Sequence, residues 1–292
     1  MIKNNLIYLL IIVLLLLLYL YNKYLIYKSL QNIKCKNSNI QIKIFNDYKN
    51  IDLKSNNFHA ITVITNINEN YKKLDITAKN NNINLIPLIS YKRIGHNYGF
   101  LMKLLLTNEY IKNLPDDHIV MFIDGYDVLI NDNQKNIIKK YYKLTKGKKA
   151  LFSAEKGCWP DFKLHTIYPE TCSKYKYLNS GTYISTVKIL KELFTSIINK
   201  INKIYYNFID FRVDDQGFFT EVFLFEHPEL IKLDYNAEIF NCLYDSINDL
   251  EFSNNRIYNN ITKTYPMVFH GNNTSSKDFL LNDIYDFITK NN

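Results

Sequence analysis

Apolar residues along this chain gather in short uninterrupted runs separated by longer stretches in which they recur at helical spacing. Ala60-Ile-Thr-Val-Ile-Thr65, Ile83 to Ile89, Ile119-Val-Met-Phe-Ile123 and Ala150-Leu-Phe-Ser-Ala-Glu155 are short for helices and rich in β-branched and aromatic residues. Such runs predict strands buried on both faces. Between them, Tyr71 to Asn80 and Phe100 to Leu114 predict helices, with Asn66 to Asn70 and Gly95 to Gly99 as loops. The opening is therefore β-α-β, the pattern of a parallel sheet with crossover helices. Further on, Tyr177 to Ile184 predicts a strand edge, a tight turn at Asn179-Ser180-Gly181 and a second strand. Helices follow over Val187 to Ile201 and Phe218 to Phe225, the latter capped by Asp214 or Asp215. The C-terminal part holds Ala237-Glu-Ile-Phe-Asn-Cys242 and then Met267-Val-Phe, an apolar strand end that His270 follows.

The N-terminus departs from this pattern. Leu6 to Tyr21 holds no charge and no helix breaker. A membrane span takes roughly 17–25 apolar residues, so this run suffices once Tyr24 to Tyr27 extend it across Asn22-Lys23. A cleaved signal peptide is the rival reading, but no small-residue cleavage site follows. The expected organisation is a short tail (1–5), a transmembrane anchor (6–27), a stalk (28–57) and one catalytic domain (58–292). Lys23, Lys28, Lys34 and Lys36 outnumber Lys3 across the span; by the positive-inside rule alone, the C-terminal side would be cytoplasmic.

Candidate chemistry sits where the apolar runs end. Asp124 and Asp127 close the run Ile119 to Ile123, at the kind of strand edge where open α/β sheets bind ligands. Two hard oxygen donors there suit Mg²⁺ or Mn²⁺ with substrate phosphates, although Asp-Gly-Tyr-Asp also reads as a plain turn. His270 follows another strand end and is a candidate third ligand. Trp159, the single tryptophan, lies in a Pro- and Asp-containing loop that could line a pocket. The formal charge of +8 comes from scattered lysines without a dense basic block, which argues against a nucleic-acid footprint. No Gly-rich phosphate loop of the Walker or dinucleotide type occurs.

Five segments in order, Phe122-Ile-Asp-Gly-Tyr-Asp-Val128, Phe152-Ser-Ala-Glu-Lys-Gly-Cys-Trp-Pro-Asp161, Tyr177-Leu-Asn-Ser-Gly181, Asp214-Asp-Gln216 and His270-Gly-Asn272, resemble the glycosyltransferase domain of procollagen lysyl hydroxylases. The resemblance spans roughly residues 58–280. It implies a GT-A-type, Rossmann-like α/β/α sandwich with a mixed sheet, using a UDP-sugar and Mn²⁺ (or Mg²⁺). It further implies that Asp124, Asp127 and His270 hold the metal, that Thr65 and Tyr126 lie near the nucleotide, and that Asn272 and Lys277 face the diphosphate. Trp159, Asp214 and Asp215 would line the sugar and acceptor site as catalytic residues. Two departures stand out. The family's Gly-Gly-Gly-Gln-Lys loop reads Gly95-His-Asn-Tyr-Gly99, with Lys103 one turn later as a substitute phosphate contact, and Asn273-Thr-Ser-Ser-Lys277 is one residue longer than its counterpart.

The expected activity is transfer of glucose or galactose from UDP-glucose or UDP-galactose to hydroxylysine or galactosyl-hydroxylysine of a collagen-like protein. A non-collagen glycan acceptor, or a degenerate nucleotide-sugar-binding module without turnover, are the alternatives. No dioxygenase domain follows, so lysyl hydroxylation is not expected. The resemblance, set against the charge bias, places a single-pass protein's catalytic domain in the lumen or on a virion or cell surface. Cys158 and Cys172 could be bridged there, and Asn260-Ile-Thr262 and Asn272-Asn-Thr274 are glycosylation sequons.

Overall fold

The structure, a computed structural model, describes residues 57–90, 95–207, 214–253, 256–272 and 277–290. The chain opens as expected with β1 (Phe58–Ile64), α1 (Glu69–Asn80) and β2 (Leu85–Ile89). Asn68 caps α1, its side chain accepting the Tyr71 N–H, which satisfies one of the orphan donors of the first turn. Next come α2 (Gly95–Lys112), β3 (Ile119–Ile123), β4 (Val128–Ile130), α3 (Gln134–Thr145) and β5 (Ala150–Glu155). After a single 3₁₀ turn at Phe162–Thr166 follow β6 (Tyr177–Thr186), α4 (Val187–Asn207) and α5 (Asp215–Glu221). The C-terminal part holds β7 (Ile231–Asp234), β8 (Phe240–Cys242), β9 (Leu250–Ser253), β10 (Arg256–Asn259), β11 (Val268–His270) and α6 (Lys277–Lys290).

The main sheet has the order β2-β1-β3-β6-β5-β7. β2, β1 and β3 run parallel, β6 runs against both its neighbours, and β5 and β7 are parallel again. Alternation along each strand sends its side chains to two covered faces, which is why β3 is buried at every position. Met121 and Ile123 join a core with Leu74 of α1 and Ile137 and Tyr141 of α3. On the other face Phe122 stacks on Tyr183 at 5.0 Å, Tyr183 on Phe152 at 4.7 Å, and Phe219 tilts against Phe152 at 4.9 Å. Aromatic pairs of this kind add about 0.5–1.5 kcal/mol each beyond area burial. A second, smaller sheet of order β4-β11-β8 branches from the carboxylate edge.

Three local expectations change. The loop predicted at Gly95 to Gly99 is the first turns of α2. Gly99 has open space where a Cβ would stand, so nothing there requires glycine's backbone freedom, and the helix absorbs it. The turn predicted at Asn179-Ser180-Gly181 is a bulge within the continuous strand β6. Its register on β5 moves from Phe152↔Tyr183 to Ser153↔Asn179, while β3 stays paired as far as Ile123↔Thr182. Turn-forming residues serve a bulge equally well when strands on both sides hold the chain extended. The helix expected over Phe218 to Phe225 is α5 continued as a π-helical turn at Val222–Glu226.

The anchor expected at residues 6–27 lies outside the described residues. Among those described, no helix is long and apolar enough to cross a membrane. Cys158 and Cys172 are both free thiols, so the bridge considered between them is not formed; Cys158 instead donates to the Asp161 carbonyl.

Candidate active site

Asp124 follows directly on β3 of the main sheet, and Asp127 directly precedes β4 of the second sheet. β11 runs antiparallel to β4 with His270 opposite Val128, and the Gly271 N–H binds the Asp127 carbonyl at 2.6 Å. Pairing of the small sheet therefore delivers His270 to the two carboxylates from about 140 residues away in sequence. His270 Nε2 lies 3.6 Å from Asp127 Oδ1 and 3.7 Å from Asp124 Oδ2. One ligand atom from each of the three residues falls within 4.8 Å of the others. Donors about 2.1 Å from an octahedral ion are spaced about 3.0 Å when cis and 4.2 Å when trans, so the set brackets one ion. Two carboxylates suit Mg²⁺ or Mn²⁺, and the imidazole nitrogen favours a first-row ion.

Two glycines make this approach possible. A Cβ on Gly181 would stand 2.1 Å from His270 Cε1 and 2.7 Å from Asp124 Oδ2. A Cβ on Gly125 would stand 2.4 Å from Ile64 Cγ2. Burial opposes a charged imidazole at His270, but Asp127 and Asp124 outweigh it and hold its pKa above the usual value. At Asp124 burial pushes the carboxyl up, against the pull of Lys103.

Thr65 and Tyr126 meet at the end of β1. The Tyr126 hydroxyl accepts the N–H groups of Thr65 at 2.8 Å and Asn66 at 3.1 Å, fixing the tyrosine ring beside the end of β1. Trp159 and Asp214 also meet: the exposed indole donates from Nε1 to Asp214 Oδ2 at 3.1 Å. The other oxygen of Asp214 caps α5, accepting the N–H groups of Gln216 and Gly217. Asp215 is buried and turns inward, where Oδ2 accepts the Ser180 hydroxyl at 2.8 Å.

Lys103 of α2, named as a substitute phosphate contact, bridges two carboxylates. Its Nζ is 2.8 Å from Asp124 Oδ1 and 3.0 Å from Asp215 Oδ2. Burial disfavours its charge, but the two acids more than compensate and hold the ammonium above its ordinary pKa. The metal ligands and the acid pair are thus one connected cluster. Lys277 opens α6; its side chain lies outside the described residues.

Asn272, expected at the diphosphate, is buried with both ends of its amide engaged. Oδ1 accepts the Tyr244 N–H and Nδ2 donates to Glu155 Oε2 at 2.7 Å. That closes its sequon to modification in the folded chain. Glu155 is the residue the sequence reading missed. Its Oε1 accepts Asn179 Nδ2 at 3.0 Å and Gln216 Nε2 at 2.8 Å, and Gln216 also reaches the Trp159 carbonyl. One buried carboxylate, pushed up in pKa by burial and held down by these amides and His270, ties together four of the five segments that carried the resemblance. A lone acid at the end of the uncharged, mostly apolar run Ala150 to Ala154 was the available signal.

The family model of the PLOD GT domain matches residues 54–292. The chain belongs to that family. It is a glycosyltransferase of the PLOD type. The chain is 37% identical over 175 residues to the uncharacterized protein R699 of Acanthamoeba polyphaga mimivirus, covering 60% of this chain and 35% of that one. It is 30% identical over 231 residues to the multifunctional procollagen lysine hydroxylase and glycosyltransferase of Caenorhabditis elegans, covering 74% and 30%. With the procollagen-lysine,2-oxoglutarate 5-dioxygenase of Drosophila melanogaster it shares 35% identity over 189 residues, covering 60% and 24%. The PLOD-type chain thus spans about a third or less of the length of these relatives. Among solved structures, a glycosyltransferase involved in the glycosylation of the major capsid of PBCV-1 aligns with a TM-score of 0.48 at 12% identity, over 77% of this chain and 98% of that one. That likeness is too distant to bear on the function.

Proposed function

We propose that this chain is a Mn²⁺-dependent hexosyltransferase, moving glucose or galactose from a UDP-sugar to hydroxylysine or galactosyl-hydroxylysine of a collagen-like protein. Membership of the PLOD GT domain family supports the reaction class and the collagen-type acceptor. The observation that carries the site is the convergence of Asp124, Asp127 and His270 beside the Asp214-Asp215 pair. A divalent ion held there supplies neutralisation of the charge that develops on a departing diphosphate. Tyr126 and Thr65 offer a ring and a hydroxyl for the nucleotide at the end of β1. Asp214, half-buried and with one oxygen bonded only through an exposed indole, is the group placed to take or orient the acceptor hydroxyl. The apolar run Leu6 to Tyr21 supports an N-terminal anchor that holds the domain on the lumenal side of a membrane or on a virion or cell surface.

The test is Mn²⁺-dependent release of UDP from UDP-glucose and UDP-galactose by residues 1–292, with and without a hydroxylysine-containing collagen peptide. Release stimulated by the peptide is the expected result, and Asp127→Ala should abolish it. Release unaffected by the peptide would refute the collagen acceptor; normal turnover in Asp127→Ala would refute the metal assignment.

A further inference from the structure

Lys103 reaches from α2 into the carboxylate cluster with a side chain only 15% exposed. Its ammonium also lies 5.7 Å from the ring centres of Phe100 and Phe122. It binds Oδ1 of Asp124, whereas Oδ2 of the same carboxylate is the oxygen that faces His270. Lys103 and a bound divalent ion would therefore share Asp124 through its two oxygens, with a unit positive charge a carboxylate's width from the ion. In a partly buried site of low effective dielectric such like charges repel appreciably. The charge count points the same way. Asp124, Asp127 and Asp215 with the adjacent Asp214 carry a formal −4, which Lys103 reduces to −3.

We infer that Lys103 is a resident counter-cation of the metal site, and that it deliberately weakens the grip of the site on a free divalent ion. Without it, Asp124 and Asp215 would face one another uncompensated, and the site would bind a bare ion tightly yet remain anionic towards a diphosphate. With it, the loaded site is less anionic and the ion is held firmly only when an anionic diphosphate completes its coordination. This deepens the proposed function, since the second half rests on a nucleoside diphosphate being the companion ligand. Two of the three N–H donors of the ammonium are engaged by carboxylates.

The experiment is a titration with Mn²⁺ of wild type, Lys103→Met, Lys103→Gln and Lys103→Arg, reading free Mn²⁺ by electron paramagnetic resonance, with and without UDP. Circular dichroism checks the fold. Removing the charge should tighten Mn²⁺ binding in the absence of UDP by about tenfold or more, and should shrink the enhancement that UDP confers. Lys103→Arg should behave as wild type. Lys103→Gln keeps a hydrogen-bond donor between the two acids, so it carries the test if Lys103→Met fails to fold. Unchanged or weaker Mn²⁺ binding in a folded charge-removal variant would overturn the inference. If UDP leaves wild-type Mn²⁺ binding unaffected while the variants tighten, the nucleotide half falls and the counter-cation stands.

Discussion

Replacing Glu155 with Gln is a change of one oxygen for one NH₂ group at constant size. In wild type the carboxylate accepts from three carboxamides, Asn179 and Gln216 on Oε1 and Asn272 on Oε2. A glutamine offers an acceptor on one side only, so an NH₂ group must point at one or two donors. The neighbours cannot flip to compensate. Asn179 Oδ1 accepts the Gly181 N–H, Gln216 Oε1 accepts the Ser180 N–H, and Asn272 Oδ1 accepts the Tyr244 N–H. At 5% exposure water offers little relief, so each stranded donor costs about 1–3 kcal/mol. Part of this is returned because a neutral side chain escapes the desolvation that pushes the Glu155 carboxyl up. A net loss of roughly 2 kcal/mol follows, or about 4–8 °C in Tm for a domain of this size. Asn179, Gln216 and Asn272 lie within two residues of Gly181, Asp215 and His270, so Mn²⁺ affinity should fall as well. Urea unfolding followed by far-ultraviolet circular dichroism at pH 7 measures the first effect. A Glu155→Gln protein within 0.5 kcal/mol of wild type would refute the reasoning, because it would mean the three amides find other acceptors.

Two further predictions concern the metal triad and the opposite end of β1. Gly181→Ala places a Cβ 2.1 Å from His270 Cε1, so the imidazole must shift; Mn²⁺ affinity should drop tenfold or more, and a Kd equal to wild type would show that the triad is not the metal site. His59 is buried at the opposite end of β1, bonded to Tyr110 and His118. Burial, with His118 adding to it, lowers its pKa to about 4. The unfolded chain takes up this proton near the ordinary histidine value of 6.5, the folded chain only near 4. Stability is therefore greatest above pH 6.5 and is lost as pH falls towards 4, by roughly 2–3 kcal/mol at the low end. The urea midpoint should fall between pH 7 and pH 4.5 by more in wild type than in His59→Gln, and equal slopes would sink the assignment.

The sequence alone carried the order of the main-sheet strands β1, β2, β3, β5 and β6 and of helices α1, α2, α4 and α5, because buried strands and amphipathic helices leave their periodicity in local residue choice; β4, α3, β7, β9, β10 and α6 were not read from it. It also carried the residues that can bind a metal: Asp124 and Asp127 stand at a strand end, and His270 at another. A cap from Asp214 or Asp215 was legible too, since capping is a contact within one turn of chain, and the fold assigns it to Asp214. Tertiary structure decided everything that depends on distant segments meeting. Whether Asn179-Ser180-Gly181 turns or bulges was set by the strands on either side of β6, and whether Gly95 to Gly99 coils or joins α2 was equally beyond its own residues. Lys103 reads as a substitute phosphate contact in sequence, and in the fold it lies between Asp124 and Asp215. Asn272 and Gln216 read as ligand contacts or helix residues until Glu155 gathers them. Hydrogen bonds and ion pairs act over about 3 Å, so which polar groups find one another depends on the packing of elements far apart in the chain. Periodicity reports only what each element needs to bury.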